Sequence, residues 1–251
     1  MKYPEDYINK IICGDCLEVM KGIPDKSIDM ILCDLPYGTT ACKWDTIIPI
    51  NLIFEQYKRI IKDKGVITLT ASQPFTSSLV MSNINMFRYS LVWEKTTPSG
   101  YLNSKRMPLR IHEDILVFYS QLPTYNPQKT TGHIRKISSA IHKRNSKRTE
   151  NYGQHGLTSY DSTERYPTSV LKFKTDKQKS KLHPTQKPVS LFEYLIMTYT
   201  NEGDLVLDNC IGSGTTAIAC TKTKRNFIGI EQDQKYCEIA KLRLAQEYLF
   251  T

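Results

Sequence analysis

Short apolar runs alternate with segments of helical periodicity along most of the chain. Runs rich in β-branched residues are typical of strands, whereas apolar positions that recur every three or four residues indicate helices. The pattern predicts strands at Lys10–Cys13, Ile28–Cys33, Gly65–Thr70, Phe87–Trp93, Ile115–Tyr119, Leu205–Leu207 and Phe227–Ile230. It predicts helices at Leu17–Lys21, Ile50–Ile61, Phe75–Ser82, Pro188–Thr200, Thr215–Lys222 and Gln234–Tyr248. Thr96–Arg110, which contains two prolines and a glycine, is predicted to be a loop.

This alternation favours an α/β fold with a Rossmann-like, mainly parallel sheet and helices on both faces. In such sheets, sites form beyond the carboxyl ends of the strands. Asp34, Asp208 and Glu231 each directly follow a predicted strand, and Asp15 lies just beyond another. The four carboxylates are therefore predicted to share one edge of the sheet.

The excess positive charge is concentrated in one segment. The whole chain has a net charge of +9, and residues 121–182 contain 13 Lys or Arg against 4 Asp or Glu, so this segment accounts for the whole excess. Its densest cations are Lys143, Arg144, Lys147 and Arg148. A basic segment is either a solvated insert or a surface for phosphate groups, and charge alone favours neither.

Composition narrows the class of protein. No apolar run approaches the roughly 20 residues that cross a bilayer, and the first ten residues lack the apolar stretch of a signal peptide. An intracellular protein with reduced cysteines is expected. Cys13 and Cys16 have the spacing of a zinc-binding pair, but a second pair is missing from the sequence, so no metal site is predicted.

The segment Asp208–Thr216 has the chemistry of a cofactor turn. A strand leads into Gly212 and Gly214 and then into a helix, whose free N–H groups suit a carboxylate or phosphate. Many turns between a strand and a helix contain glycine only because the backbone conformation requires it. Here, however, Glu231 follows the next predicted strand, at the usual spacing for a carboxylate that binds ribose. The dinucleotide fingerprint would need a third glycine where Ala217 stands, and the spacing of a P-loop is missing.

The segment Asp34–Gly38 has the chemistry to hold an aromatic amine. The lone pair of such an amine is delocalised, so it is a poor nucleophile. A carboxylate and a backbone carbonyl that accept its two N–H groups would free the lone pair for attack on a methyl group. Asp34 and the Pro36 carbonyl could supply these acceptors, and Tyr37 a ring on which a flipped base stacks. Alone, the segment could equally be an ordinary turn.

Taken together, the two segments resemble motifs of the DNA amino-methyltransferases. Asp34–Tyr37 resembles their catalytic Asp-Pro-Pro-Tyr motif, and Asp208–Thr215 resembles their cofactor motif. The catalytic motif comes first here, as in the β-group of the family. Cys13–Glu18 resembles the segment that contacts the cofactor adenine, and His183–Pro188 the segment that helps to cover S-adenosylmethionine. Leu35 departs from the catalytic motif, and Asn209–Cys210 departs from the Pro-Phe of the cofactor motif.

The resemblance implies a set of roles. Asp34, Pro36 and Tyr37 are the expected catalytic residues. The expected cofactor-binding residues are Asp15, Gln186, Lys187, Pro188, Asp208, Gly212, Ser213, Gly214, Thr215, Thr216 and Glu231. DNA contacts are expected from Lys143, Arg144, Lys147, Arg148, Lys105 and Arg106. The chain would then divide into a catalytic half (residues 1–120), a target-recognition region (121–182) and a cofactor-binding half (183–251).

The implied reaction is methyl transfer from S-adenosylmethionine to adenine N6 in double-stranded DNA, because Asp at the first motif position goes mostly with adenine in this family. Cytosine N4 or an RNA amine is the nearest alternative. A non-catalytic DNA-binding protein that retains the fold is an alternative from another class, and a nicotinamide oxidoreductase is a distant third. The resemblance also implies that the protein could form a homodimer and could act with a cognate restriction nuclease. No association with a membrane is expected. The expected location is the cytoplasm, in association with the nucleoid through DNA.

Overall fold

The computed structural model describes residues 1–38, 45–139, 159–175 and 186–248. Its strands are β1 (Lys10–Cys13), β2 (Ile28–Cys33), β3 (Ile61–Ala71), β4 (Phe87–Ser99), β5 (Arg110–Phe118), β6 (Lys136–Ser138), β7 (Tyr160–Ser162), β8 (Val170–Phe173), β9 (Leu205–Asp208) and β10 (Asn226–Glu231). Its α-helices are α1 (Cys16–Met20), α2 (Ile50–Ile60), α3 (Phe75–Ser82), α4 (Val189–Tyr199), α5 (Thr215–Lys222) and α6 (Gln234–Tyr248), and Tyr101–Asn103 form a short 3-10 helix.

Within these residues, eight strands form one sheet in the order β1-β10-β9-β2-β3-β5-β4-β8. The pairs from β1 to β3 are parallel, β5 is antiparallel to both β3 and β4, and β8 is parallel to β4. The predicted Rossmann-like, mainly parallel sheet is confirmed. None of the helices in the described ranges is long and apolar enough to cross a membrane.

Both faces of the sheet are covered, because successive side chains of a strand point to opposite faces. In β2, Ile31 and Cys33 pack into a first core with α1, α2 and α3. Met30 and Leu32 pack into a second core with α4, α5 and α6. All four side chains are fully buried. This double burial explains why β2 is an almost continuous apolar run.

Three strands, β3, β4 and β5, extend four or more residues beyond their predicted bounds, and β9 and β10 extend by one residue at one end or both. β3 begins directly after α2, because Ile61 pairs with Ile28 across a register shift and Lys62 forms an ion pair with Asp29 at 2.7 Å. The predicted end of the helix at residues 62–65 is therefore the start of a strand. β4 runs on to Ser99, which pairs with Arg110, so the predicted loop is shortened to the residues between these two.

The basic stretch contributes to two structures. Residues Pro127–Thr168 form a separate compact unit, which contains the antiparallel pair β6 and β7 and the ion pair between Arg135 and Asp161 at 2.7 Å. β8 belongs instead to the main unit, where it pairs with β4, and the backbone oxygen of Phe173 accepts a hydrogen bond from Trp93 at 3.1 Å.

Candidate active site

The carboxyl ends of four strands converge on one cavity. Asp34 follows β2, and Asp208 ends β9, its neighbour in the sheet. β10 and β1 continue the row, with Glu231 at the end of β10 and Asp15 just beyond β1. A cavity of about 500 Å³ opens in front of these strand ends, and all four carboxylate residues line it.

Most of the site residues expected from sequence border this cavity. They are Asp34, Pro36 and Tyr37 from the first turn, and Asp15, Gln186, Lys187, Asp208, Ser213, Thr215 and Glu231 from the cofactor segments. Pro188, Gly212, Gly214 and Thr216 do not line it and instead shape the turn and the starts of α4 and α5.

The two described residues that were expected to contact DNA do not line the cavity. Lys105 and Arg106 are exposed in the segment that links β4 to β5, away from the cavity lining. Ser99 and Arg110, which pair at the base of this segment, do line the cavity. Lys143, Arg144, Lys147 and Arg148 lie outside the described residues.

The Asp34 carboxylate is held through both of its oxygens. Oδ1 accepts hydrogen bonds from the hydroxyl of Tyr37, at 2.7 Å, and from the hydroxyl of Thr70. Oδ2 accepts a hydrogen bond from Lys187 Nζ at 2.7 Å. The side chain is still 23% exposed, and the residue lines the cavity. Asp34 is therefore fixed in orientation while it remains accessible to a donor that enters the cavity.

Tyr37 supports Asp34 through its hydroxyl. Burial raises the pKa of this hydroxyl well above its usual value, and the carboxylates of Asp34 and Glu113 raise it further. The group therefore stays protonated and donates. The ring lies 5.4 Å from that of Phe75, and Lys187 Nζ is 5.5 Å from its centroid. The sequence predicted only a stacking role, so this hydrogen bond is an addition.

Lys187 lies between two carboxylates. It is 7% exposed, and its Nζ lies 2.7 Å from Asp34 Oδ2 and 3.1 Å from Glu113 Oε2. Lys95 forms an ion pair with the other oxygen of Glu113. Burial alone would lower the pKa of Lys187, but Asp34 and Glu113 outweigh it and raise that pKa above its usual value.

Burial and the two neighbouring lysines act in opposite directions on the pKa of Glu113. Burial alone would raise the pKa of Glu113, but Lys187 and Lys95 outweigh it and hold that pKa below its usual value. The network therefore balances two carboxylates with two ammonium groups. Sequence reasoning placed Lys187 with the cofactor and assigned no role to Glu113. A carboxylate that opens an otherwise apolar strand was the available signal.

The buried side chain of Asp208 stabilises the cofactor turn through two hydrogen bonds. The residue is 2% exposed, and its Oδ1 accepts a hydrogen bond from the backbone N–H of Cys210 at 3.0 Å. Its Oδ2 accepts a hydrogen bond from the hydroxyl of Thr216. Burial raises the pKa of Asp208 to about 7. These contacts fold the turn back onto the end of β9.

Gly214 begins α5 in a conformation that suits glycine. Its φ is +89°, in the left-handed region. A Cβ atom at this position would lie 3.1 Å from Cβ and 3.2 Å from Cα of Ala240 in α6. The turn therefore needs glycine for its backbone conformation and also for the close approach of the two helices.

Glu231 and Asp15 border the cavity and also organise local backbone. Glu231 accepts hydrogen bonds from the backbone N–H groups of Gly212, at 2.8 Å, and Asp233, at 2.9 Å. Burial raises the pKa of Glu231, although these N–H groups act in the opposite direction. Asp15 caps α1 by accepting from the N–H of Leu17 at 2.8 Å. Each residue thus has a structural contact besides the ligand contact expected from sequence.

The segment before α4 is tied to the cofactor turn. Ser213 donates to Gln186 Oε1 at 3.1 Å, and Thr215 donates to the backbone oxygen of Lys187 at 3.4 Å. Arg243 of α6 donates to the backbone oxygen of Ser213 at 2.6 Å. Sequence reasoning missed Arg243, because it lies on a helix with no motif of its own.

The residues that depart from the family motifs have partners in this chain. Leu35 is 3% exposed and packs in the first core. Asn209 is 2% exposed and accepts a hydrogen bond from the hydroxyl of Tyr57 at 2.5 Å. Cys210 is half-buried against the first core. All three residues line the cavity, so the departures fit the packing of its wall.

Comparison with known proteins agrees with this geometry. A family model described as DNA methylase, for N6/N4 methyltransferases, matches residues 28–242, and the protein belongs to this family. The type II methyltransferase M.HpaI of Haemophilus parainfluenzae is 28% identical over 266 residues, which cover 95% of this chain and 75% of that protein.

Solved structures share the fold. The complex of M1.HpyAVI with S-adenosylmethionine is 25% identical, with a TM-score of 0.62, and the match covers 94% of this chain and 99% of that one. The cytosine-N4-specific PvuII DNA methyltransferase has a TM-score of 0.66 at 13% identity, with 95% and 90% covered, and shows the fold alone. The protein is thus an S-adenosylmethionine-dependent DNA methyltransferase.

The cavity fits this cofactor. Its volume of about 500 Å³ lies within the range of small-molecule pockets. Glu231 and Asp15 place carboxylates at its border, which suit the hydroxyl and amine donors of an adenosine. Gly212 and Gly214 both have positive φ, so the backbone of the turn can approach a ligand closely.

Proposed function

We propose that the protein methylates adenine N6 in double-stranded DNA. The observation that carries this proposal is the shared cavity, which Asp34 and the cofactor turn line together. Adenine is supported by the aspartate at the first position of the catalytic motif. The reaction needs an acceptor for the amine next to the methyl donor, and this arrangement supplies it.

Asp34 and the Pro36 carbonyl accept hydrogen bonds from the two N–H groups of the target amine. Hydrogen bonds from Tyr37 and Lys187 support the role of Asp34 as an acceptor, because they fix its carboxylate before the base arrives. Tyr37 provides a ring face for the flipped base. Holding both N–H groups turns the nitrogen lone pair away from the ring and towards the cofactor side of the cavity.

The cofactor supplies an electrophilic methyl group when it is bound. Glu231 and Asp15 bind its adenosine part, and the turn from Gly212 to Thr216 cradles the remainder. Gln186, Lys187 and Pro188 cover it, a role that the hydrogen bonds of Ser213 and Thr215 to this segment support. Asp208 acts by holding the turn in shape through Cys210 and Thr216.

Residues 121–182 act as the target-recognition region between the two halves of the methyltransferase domain, residues 1–120 and 183–251. The basic charge of this stretch and the compact unit within it support this role. Lys105, Arg106, Lys143, Arg144, Lys147 and Arg148 contact phosphates in this proposal.

Two partners belong to the same proposal. A homodimer would give twice the mass of the 28.9 kDa chain in sedimentation equilibrium, and a single-chain mass would reject it. A cognate restriction nuclease would cleave DNA that lacks the modification and spare DNA that this protein has methylated. Digestion of both DNAs with candidate nucleases from the source genome tests that expectation.

The test of the function uses tritiated S-adenosylmethionine and unmethylated DNA, with wild-type protein, Asp34→Ala and the isosteric Asp34→Asn. Label in N6-methyladenine, lost in both variants while cofactor binding persists, is the expected result. Label in N4-methylcytosine would show that the target is cytosine and not adenine, and methyl transfer to DNA would still be the reaction. If the protein binds DNA but neither binds the cofactor nor transfers a methyl group, it is a DNA-binding relative that has lost catalysis.

A further inference from the structure

The Asp34 carboxylate has few free positions for the target amine. Its Oδ1 accepts from two hydroxyls, and its Oδ2 accepts from Lys187 at 2.7 Å. A carboxylate offers about four lone-pair positions, so three are filled. The target amine must therefore share Oδ2 with the ammonium group or displace it.

Lys187 is the stronger competitor for this oxygen. A charged donor forms a stronger hydrogen bond to a carboxylate than a neutral aromatic amine does. The ammonium group is almost fully buried, so water does not weaken the ion pair. A permanently bound Lys187 would hold Asp34 in place but would also oppose substrate binding at the same atom.

Glu113 offers Lys187 a second position. Its Oε1 is paired with Lys95, whereas its Oε2 is buried and lacks a hydrogen bond of good geometry. This unfilled oxygen lies only 3.1 Å from Lys187 Nζ. A small rotation of the flexible lysine chain would complete this hydrogen bond as the one to Asp34 is released.

We propose that Lys187 is a positioning residue that holds Asp34 in the empty site and moves to Glu113 when the target amine binds Asp34. The inference rests on the proposed function; it gives Lys187 a movement between two carboxylates and adds Glu113 to the machinery. No bond to carbon is made or broken in the exchange, and the ammonium group remains paired with a carboxylate throughout. The backbone oxygen of Lys187 stays with Thr215 of the cofactor turn.

Three variants test the exchange. Lys187→Met keeps the aliphatic chain and removes the ammonium group, and it should lower kcat by about 100-fold, because the acceptor is no longer oriented. Glu113→Gln keeps the shape and removes the charge of the second position, so it should lower kcat by roughly 10-fold. The kcat of the double variant should be no lower than that of Lys187→Met, because Glu113 acts through Lys187.

The control is Lys62→Met, which removes a lysine–aspartate pair of 2.7 Å near the amino ends of the strands and should retain wild-type kcat. The affinity for S-adenosylmethionine, measured by calorimetry, should stay within a few-fold of wild type in all variants, because Lys187 is tied to the cofactor turn by its backbone oxygen and not by its ammonium group. The exchange is overturned if Glu113→Gln keeps wild-type kcat, if the two losses multiply in the double variant, or if cofactor affinity falls in step with kcat. If wild-type protein itself transfers no methyl group to DNA, the proposed function has failed and this inference falls with it.

Discussion

The buried carboxylate of Asp208 links the stability of the protein to pH. Burial raises its pKa from 3.8 to about 7. Between these values the native state keeps a proton that the unfolded chain has lost, so the free energy of unfolding falls as the pH rises. Asp208→Asn keeps an oxygen for the Cys210 N–H and removes the titration.

Relative to Asp208→Asn, wild-type protein should lose on the order of 2 kcal/mol of unfolding free energy between pH 5 and pH 8. Urea unfolding of both proteins at the two pH values measures the difference. Parallel pH dependence in the two proteins would show that Asp208 titrates normally.

Single residues also show where sequence reasoning stops. Asp34 could be found because it follows an apolar run and precedes a proline turn, which are local features. Its partners are distant in sequence: Thr70 is 36 positions away and Lys187 is 153. They meet Asp34 because β2 lies beside β3 in the sheet and because the segment before α4 returns to the cofactor turn. A single sequence holds no periodic signal for such contacts.

At the scale of elements, the contact of α5 with α6 depends on Gly214. Both Gly214 and Gly203 have φ near +90°, but a Cβ atom at Gly203 would meet nothing within 4 Å. Gly203→Ala should therefore cost about 1 kcal/mol for the backbone conformation alone.

Gly214→Ala should cost about 1 to 3 kcal/mol more than Gly203→Ala, because Ala240 must also move. It should also weaken the binding of S-adenosylmethionine, whereas Gly203→Ala should not. Thermal unfolding and calorimetric titration of both variants provide the comparison. Equal losses of stability would mean that helix packing does not require this glycine.

The elements that were mispredicted depend on pairing between strands. Lys62–Gly65 has the composition of a helix terminator, yet it forms part of β3, because Ile61 and Val66 on either side pair with β2. β8 has four residues, too few for a pattern, and it is a strand because β4 offers a free edge. Hydrogen bonds to a neighbouring strand outweigh local propensity in both cases.

At the scale of the whole molecule, the fold class was predictable because alternation of strands and helices leaves few ways to cover a parallel sheet. The convergence of Asp15, Asp34, Asp208 and Glu231 followed from the same rule, since parallel strands end at a common edge. The division of the basic stretch was not predictable. Its sequence is mostly polar with weak periodicity, but β8 belongs to the main unit and residues Pro127–Thr168 to another.

The charge around the cavity end of the sheet leads to a prediction about DNA binding. Lys105 and Arg106 are exposed on the segment whose base, Ser99 and Arg110, borders the cavity. Lys62 and Lys224 are exposed near the amino ends of β3 and β10, at the opposite edge of the sheet. The two pairs carry the same charge but differ in their distance from the site of reaction.

Replacement of Lys105 and Arg106 by alanine should weaken DNA binding and reduce the slope of log affinity against log salt by about 1.8, the value for two lost phosphate contacts. The matched replacement of Lys62 and Lys224 by alanine should leave the slope unchanged. Fluorescence anisotropy with a labelled duplex at several salt concentrations measures both slopes. If both variants lower the slope equally, net charge governs binding. If neither does, the phosphate contacts belong to other residues.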